Sequence, residues 1–307
     1  MSEIAGPVSW QCGLTGAVRT GSIRTADSAD LALHGPSLLS QAFSERIRVL
    51  VNSDKPRSRA NVLLFGASNL TLGWNPLMQQ LLSTVPGPLD VQVCLGMGRS
   101  FLKDSRYLGR VLPGILHCGL WQQLPQPSSS DRVLITDIGN DIVYRFSPPE
   151  ILAAVQQTVQ RVLHWNPHAR ITMTLPPLVS LQRLHPLHFR IARTLLFPLS
   201  TLTFSDVMQA ATQLQDLLRE FAEQNSLRLI EPVREWYGAD PIHIRRSMRT
   251  VAFRTLFGDW ANGISVTPEV PFSGLPLPTA ERQTLFGQPR LTPQPVFQSD
   301  RLNISAW

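Results

Sequence analysis

Disulfide chemistry has little to work with in this chain. Its three cysteines, Cys12, Cys94 and Cys118, are odd in number and widely spaced, with no C-x-x-C pair. That sets aside a disulfide framework and points to free thiols in a reducing cytoplasm. Lysine is nearly absent: Lys55 and Lys103 are the only two, so arginine carries almost all of the formal charge of +6. A basic balance favours anionic partners, but these arginines are scattered and seldom interleaved with aromatics, so no nucleic-acid partner is expected. No stretch of 18 or more uninterrupted apolar residues occurs, which excludes a helical membrane span and integral membrane association. The opening run MSEIAGPVSWQCGLTGAVRTG holds an early glutamate and no continuous apolar core, so it does not read as a secretory leader. Charge is sparse as well, at 16% against 43% hydrophobic residues over 307 positions. This suits one large α/β domain, or two small ones, with a sizeable core.

What is present is ordered unevenly. Residues 1–57 form an N-terminal extension, expected to be partly disordered, with one amphipathic helix in SLLSQAFSERIRVLV and a linker in NSDKPRSRA. From residue 58 to 258 a regular alternation predicts a single domain. NVLLFG, DVQVCLG, RVLITDIG, RITMTLPP and LRLIEPV are short apolar runs bounded by breakers, as suits strands buried on both faces. Helical patterns lie between them. FLKDSRYLGRVLPGILHCGL repeats apolar residues at Leu108, Val111, Leu112, Ile115 and Leu116, although Pro113 and Gly114 weaken it. PPEILAAVQQTVQRVLHW places prolines in a first turn with Glu150 near the positive end. SDVMQAATQLQDLLREFAEQN offers Ser205 and Asp206 as caps. Strand and helix alternating five times predict a parallel sheet covered on both faces. Residues 259–307 read as a Pro-rich tail that wraps the surface or stays mobile, without chemistry of its own.

In such a sheet, functional groups gather beyond the carboxyl ends of the strands. The first strand ends in Gly66-Ala67-Ser68-Asn69, the second in LGMGRSF, the third in DIGND, and the fifth is followed by GADPIHIRR. Together these supply the parts for acyl transfer: a hydroxyl, amide donors, and an Asp/His pair. A serine hydroxyl is a poor nucleophile at neutral pH and needs a neutral imidazole to take its proton. His243 is the candidate base, and Asp240, three residues earlier, can receive the other ring N–H and fix the tautomer. Gly98 has no side chain to shield its amide, and the Asn140 side chain and Ser68 amide offer two further donors for an oxyanion. Asn69, Arg99 and Asp141 stand beside these groups as candidate substrate contacts. Arg99, Arg245 and Arg246 are candidates for an anionic substrate group, or are simply solvated.

Other chemistries lack their signatures. Leu70 occupies the position where a G-x-S-x-G elbow needs glycine, and GASNLTLG holds neither G-x-G-x-x-G nor a Walker lysine. His164 and His168 are separated by Pro167, and His185 and His188 have no carboxylate or cysteine within a few residues, so both pairs read as structural and no metal is expected. Residues 178–204, rich in Leu and Phe with regular arginines, read as packed accessory helices, as a lid or wall accepting an acyl chain, or as a lipid-facing surface.

These blocks resemble the SGNH, or GDSL-type, hydrolase superfamily. GASNL matches its first block at Ser68, and GMGRS the second at Gly98, with Gly96 as the competing glycine. IGND matches the third at Asn140, and DPIH the last at Asp240 and His243. Ala67 replaces the aspartate of the first block, and Ile138 the first glycine of the third. The resemblance covers about residues 60–258. It implies a flavodoxin-like three-layer α/β/α sandwich around a five-stranded parallel sheet, with no cofactor. It also implies a serine esterase acting on a small-molecule, glycan or lipid ester through an acyl-enzyme. A catalytically silent binding module for acylated or glycan ligands is the alternative. Neither reading fixes an oligomeric state.

Overall fold

The computed structural model describes residues 59–107, 109–182, 202–261, 278–283 and 287–307. The amphipathic helix expected in residues 37–51, the His185/His188 pair and most of the 178–204 segment lie outside the described residues. The central sheet uses strands β1 (Ala60–Phe65), β2 (Leu89–Cys94), β5 (Arg132–Ile135), β6 (Arg170–Thr174) and β7 (Arg228–Ile230), which coincide with the five apolar runs. The helices between and after them are α1 (Ser68–Leu72), α2 (Trp74–Thr84), α3 (Asn140–Val143), α4 (Pro148–Trp165), α5 (Leu178–Leu181), α6 (Phe204–Gln224) and α7 (Arg249–Phe257).

The strands lie in the order β2-β1-β5-β6-β7 and all run parallel. This is the flavodoxin-like doubly wound order, and the chain leaves β1 first to one side and later to the other. A crevice therefore opens beyond the C-terminal ends of β1 and β5. The alternation within β1 shows the two-sided burial. Leu63 and Phe65 belong to a core shared with α4 and α6, whereas Val62 and Leu64 belong to a core shared with α2 and α7. Helix, sheet and helix thus form three layers.

Helix starts follow the local chemistry. Ser147 and Glu150 form a capping-box pair ahead of Pro148: the Glu150 carboxylate accepts from the Ser147 amide at 2.7 Å and from its hydroxyl at 2.6 Å, and the two prolines that open α4 have no N–H to satisfy. For α6 the cap is Thr203, whose hydroxyl accepts from the Asp206 amide at 3.2 Å. Ser205 lies one turn position inside, and Asp206 returns the capping bond from the third helical position.

Three expectations are corrected. Residues 101–120 do not form a helix. They fold as a hairpin of β3 (Ser105–Tyr107) and β4 (Arg110–Leu112), then two short 3₁₀ turns. Gly109 takes a φ of +75° at the hairpin turn. At Gly114 a Cβ would stand 2.9 Å from the Lys103 backbone nitrogen, a contact a regular helix with side chains would not allow. Second, among the described residues the sheet has seven strands. β11 (Leu302–Ala306) pairs parallel with the outer edge of β2, and β10 (Phe297–Gln298) pairs antiparallel with β11. Third, the end of the Pro-rich tail is therefore core, not surface wrapping. A five-stranded sheet would leave β2 with unpaired N–H and C=O groups, and β11 satisfies them. Other parts of the tail, β8 (Glu281–Gln283) and β9 (Pro289–Leu291), extend the β3–β4 hairpin into a small second sheet.

Cys94 and Cys118, 24 residues apart, bring their sulfurs within 3.5 Å in the core as free thiols. Among the described residues no helix is long and apolar enough to cross a membrane.

Candidate active site

β1 stops at Phe65, and Gly66 donates to the Cys94 carbonyl at 3.0 Å, the last ladder bond before the chain turns into α1. A side chain at Gly66 would meet Leu70 and Thr136 at 2.7 Å, so only glycine lets α1 start this close to the sheet. Ser68 is the first residue of α1 and is 5% exposed. Its flanking amides are both taken by one carboxylate. Asp137 Oδ2 accepts from Ala67 N at 2.7 Å and from Asn69 N at 3.2 Å. The Ser68 amide between them has no acceptor among the described residues, and neither does the Gly98 amide.

His243 lies on the loop after β7. Its Nδ1 is 2.6 Å from Asp240 Oδ2, while Asp240 Oδ1 accepts the amides of Ile242 and His243, each at 3.1 Å. The D-x-x-H spacing thus makes one carboxylate shape the turn and hold the ring. Burial works against the Asp240 charge, but the His243 ring and the two amides outweigh it and hold the carboxyl below its ordinary pKa. A ring that donates from Nδ1 to Asp240 leaves Nε2 as the acceptor.

Ser68, Gly98, Asn140 and His243 line a single cleft, together with Met97, Arg106, Tyr107, Tyr144 and Ile242. The Ser68 hydroxyl makes no hydrogen bond to the imidazole or to any other described group. Of the two glycines after β2, Gly98 borders the cleft with a φ of +64°. A Cβ on Gly96 would instead strike Leu112 at 2.4 Å, so that glycine serves packing. Tyr144 donates to the Gly98 carbonyl at 2.7 Å and fixes this peptide. Burial and the nearby Asp141 push the Tyr144 hydroxyl up to about 12, so it remains a neutral donor. Asn140 reaches the Arg99 carbonyl through Nδ2 at 3.3 Å, which leaves its second amide proton uncommitted.

The three expected substrate contacts are engaged by the protein itself. Arg99 is 1% exposed, and its guanidinium donates to the backbone carbonyls of Leu95, Pro113 and Trp307. Asp141 is fully buried, accepting from the Ser100 hydroxyl and from the amides of Phe101 at 2.9 Å and Leu102 at 3.4 Å. Asn69 donates to Asp137 at 2.7 Å and to the Ile242 carbonyl at 3.0 Å, and accepts from the Ile244 amide at 2.8 Å. It brackets His243 on both sides. All three hold loops in place.

Asp137, Tyr144, Arg106 and Tyr107 escaped the sequence reading. Asp137 heads the DIGND motif but adopts a φ of +58°, which turns its carboxylate back over α1. Burial pushes its carboxyl up, opposed by the Asn69 side chain and by the amides of Ala67 and Asn69. No signal within five residues marks such a contact. Among the described residues no cluster of His, Cys, Asp or Glu has the makings of a metal site.

No family model and no curated protein matches the chain. Solved structures do. An arylesterase described as putative from Agrobacterium tumefaciens is 17% identical, with 66% of this chain and 99% of that one covered at a TM-score of 0.45. A carbohydrate acetylesterase from Sinorhizobium meliloti is 18% identical over 66% and 99% at 0.46. A member of the lipolytic G-D-S-L family from Veillonella parvula is 9% identical over 68% and 100% at 0.42. At such identities and scores, no chemistry passes from those proteins to this one.

Proposed function

We propose that this chain is a serine ester hydrolase of the SGNH type, working through a covalent acyl-enzyme. The observation that carries the reading is the shared cleft. Ser68, His243, Gly98 and Asn140 come from four strand ends and border one space, with His243 already paired to Asp240.

In the reaction, Ser68 Oγ attacks the ester carbonyl carbon while its proton passes to His243 Nε2. Negative charge then develops on the carbonyl oxygen, facing the free amides of Ser68 and Gly98 and the Asn140 side chain. The bond to the leaving oxygen breaks, and His243 returns the proton to that oxygen as the alcohol departs. Water repeats the sequence on the acyl group, giving its proton to His243. Ser68 then leaves with a proton, and a carboxylic acid is released. Asp240 holds the ring and stabilises the imidazolium that forms twice per cycle.

The missing contact between Ser68 and His243 is compatible with this chemistry, because such hydrogen bonds tighten when substrate arrives. Turnover of a short-chain nitrophenyl ester by Ser68→Ala, compared with the parent, tests the reading. A loss of about a thousandfold or more in kcat is expected. Equal turnover would remove the assignment and leave a binding module on this fold.

A further inference from the structure

The cleft holds a charge that the hydrolysis does not use. Arg106 lies on the outward face of β3 and borders the same space as Ser68 and His243. It is exposed, and its guanidinium makes no ion pair or hydrogen bond with any described residue. Among the described residues no carboxylate lines the cleft. Asp240 is occupied by His243, Asp137 by Asn69 and two amides, and Asp141 by Ser100 and the amides after it. The nearest carboxylates along its own small sheet, Asp104 and Glu281, are exposed and do not border the cleft. A second cation stands at the margin: Lys103 Nζ is 5.5 Å from the ring centroid of Tyr144, itself a lining residue.

The hairpin gives Arg106 a defined place. Arg106 pairs with Val111, and Ser105 and Leu112 are buried beneath the opposite face, so the strand is anchored while its arginine points outward. Tyr107 and Tyr144 border the same cleft. A guanidinium with aromatic neighbours, and with neither a partner nor a competing carboxylate among the described residues, matches an anion attached to an organic body.

We propose that the cleft selects esters carrying a carboxylate or similar anionic group, and that Arg106 is the residue that recognises it. This rests on the ester-hydrolase reading above. It relocates the anion contact from Arg99, which is sealed in the core, to an arginine on a hairpin where a helix was expected. The anion is borne by one product of the cleavage, the acid or the alcohol, and the substrates chosen separate the two.

The test measures kcat/KM at low salt for two matched pairs. In the first, the charge is on the alcohol side: 4-acetoxybenzoate against its neutral methyl ester. In the second it is on the acyl side: 4-nitrophenyl hemisuccinate against 4-nitrophenyl butyrate. The parent is expected to favour the anionic member of one pair by about tenfold over the ratio given by hydroxide alone, as suits one charge-assisted contact at a half-open site. Arg106→Gln should bring that ratio to the hydroxide value, Arg106→Lys should keep part of it, and added salt should erode it. Because the readout is a ratio, a poorly folded variant lowers both members and leaves it unchanged. Absence of preference in the parent, or a preference that survives Arg106→Gln, overturns the inference while Ser68-dependent turnover keeps the hydrolase reading. Failure of all four esters to turn over faster with the parent than with Ser68→Ala overturns the hydrolase reading itself.

Discussion

Asp240 is 54% exposed at its side chain, yet it carries three hydrogen bonds, from the His243 ring and from two amides of its own turn. Asparagine there would keep one acceptor and lose the charge that steadies an imidazolium. Asp240→Asn is expected to lower kcat by roughly a hundredfold to ten-thousandfold on the same nitrophenyl ester, with a smaller change in KM. Stability responds with a definite sign. The carboxyl is held below its ordinary pKa in the folded protein. Its contribution is therefore present above the unfolded value, about 3.9, and is lost as pH falls through the folded value. Urea unfolding should show the parent more stable than Asp240→Asn at pH 7, with the gap closing toward pH 3, and solvent at the exposed carboxylate keeps the gap small. A gap that widens on acidification would contradict the hydrogen-bond pattern. This pair was legible in the sequence because D-x-x-H is local, and both partners lie within one turn.

Between elements, the link that matters is Asn69. Its amide group joins α1 to the loop after β7 by bonding the carbonyl before His243 and the amide after it, while Asp137 fixes the same amide from the end of β5. Asn69→Ala removes those three side-chain bonds at once. Expected are a loss of about 1–3 kcal/mol in unfolding free energy and a fall in kcat of about tenfold or more with a lesser effect on KM, since the base is displaced and the cleft is kept. Unchanged kcat would show that the loop holds His243 without help. The partners of Asn69 are 68 to 175 residues away in the chain, which is why sequence reasoning took it for a substrate contact. The strand ends were readable because each apolar run stops on Gly, Pro or a polar breaker. The 101–120 helix misread has the opposite cause. Its apolar spacing fits a helical face, but Gly109, Pro113 and Gly114 carry backbone demands that periodicity does not register.

At the scale of the molecule, the sheet is completed from the far end of the chain. β11 pairs with β2 over five residues from Leu302↔Leu89 to Ala306↔Val93, and the Trp307 amide then donates to the Val93 carbonyl at 2.9 Å. The Trp307 side chain is 3% exposed, joins the core beneath α4, and donates from its indole nitrogen to Gln92 at 2.7 Å. Its backbone oxygen accepts from Arg99, the neighbour of Gly98, so the tail supports the loop at Gly98 that borders the cleft. In the sequence this strand is five residues in a Pro-rich region, too short for its alternation to stand out, and only the vacant edge of β2 gives it a partner. Trp307→Ala should therefore behave as a core substitution, costing about 3–5 kcal/mol in urea unfolding. A tail lying on the surface would give a change within about 0.5 kcal/mol. The same variant loosens the support under Arg99, so its kcat on a neutral ester should also fall under conditions where it remains folded. Full stability would detach the tail from the sheet. Lost stability with unaltered kcat would mean that β11 closes the edge of β2 without steadying the loop at Gly98.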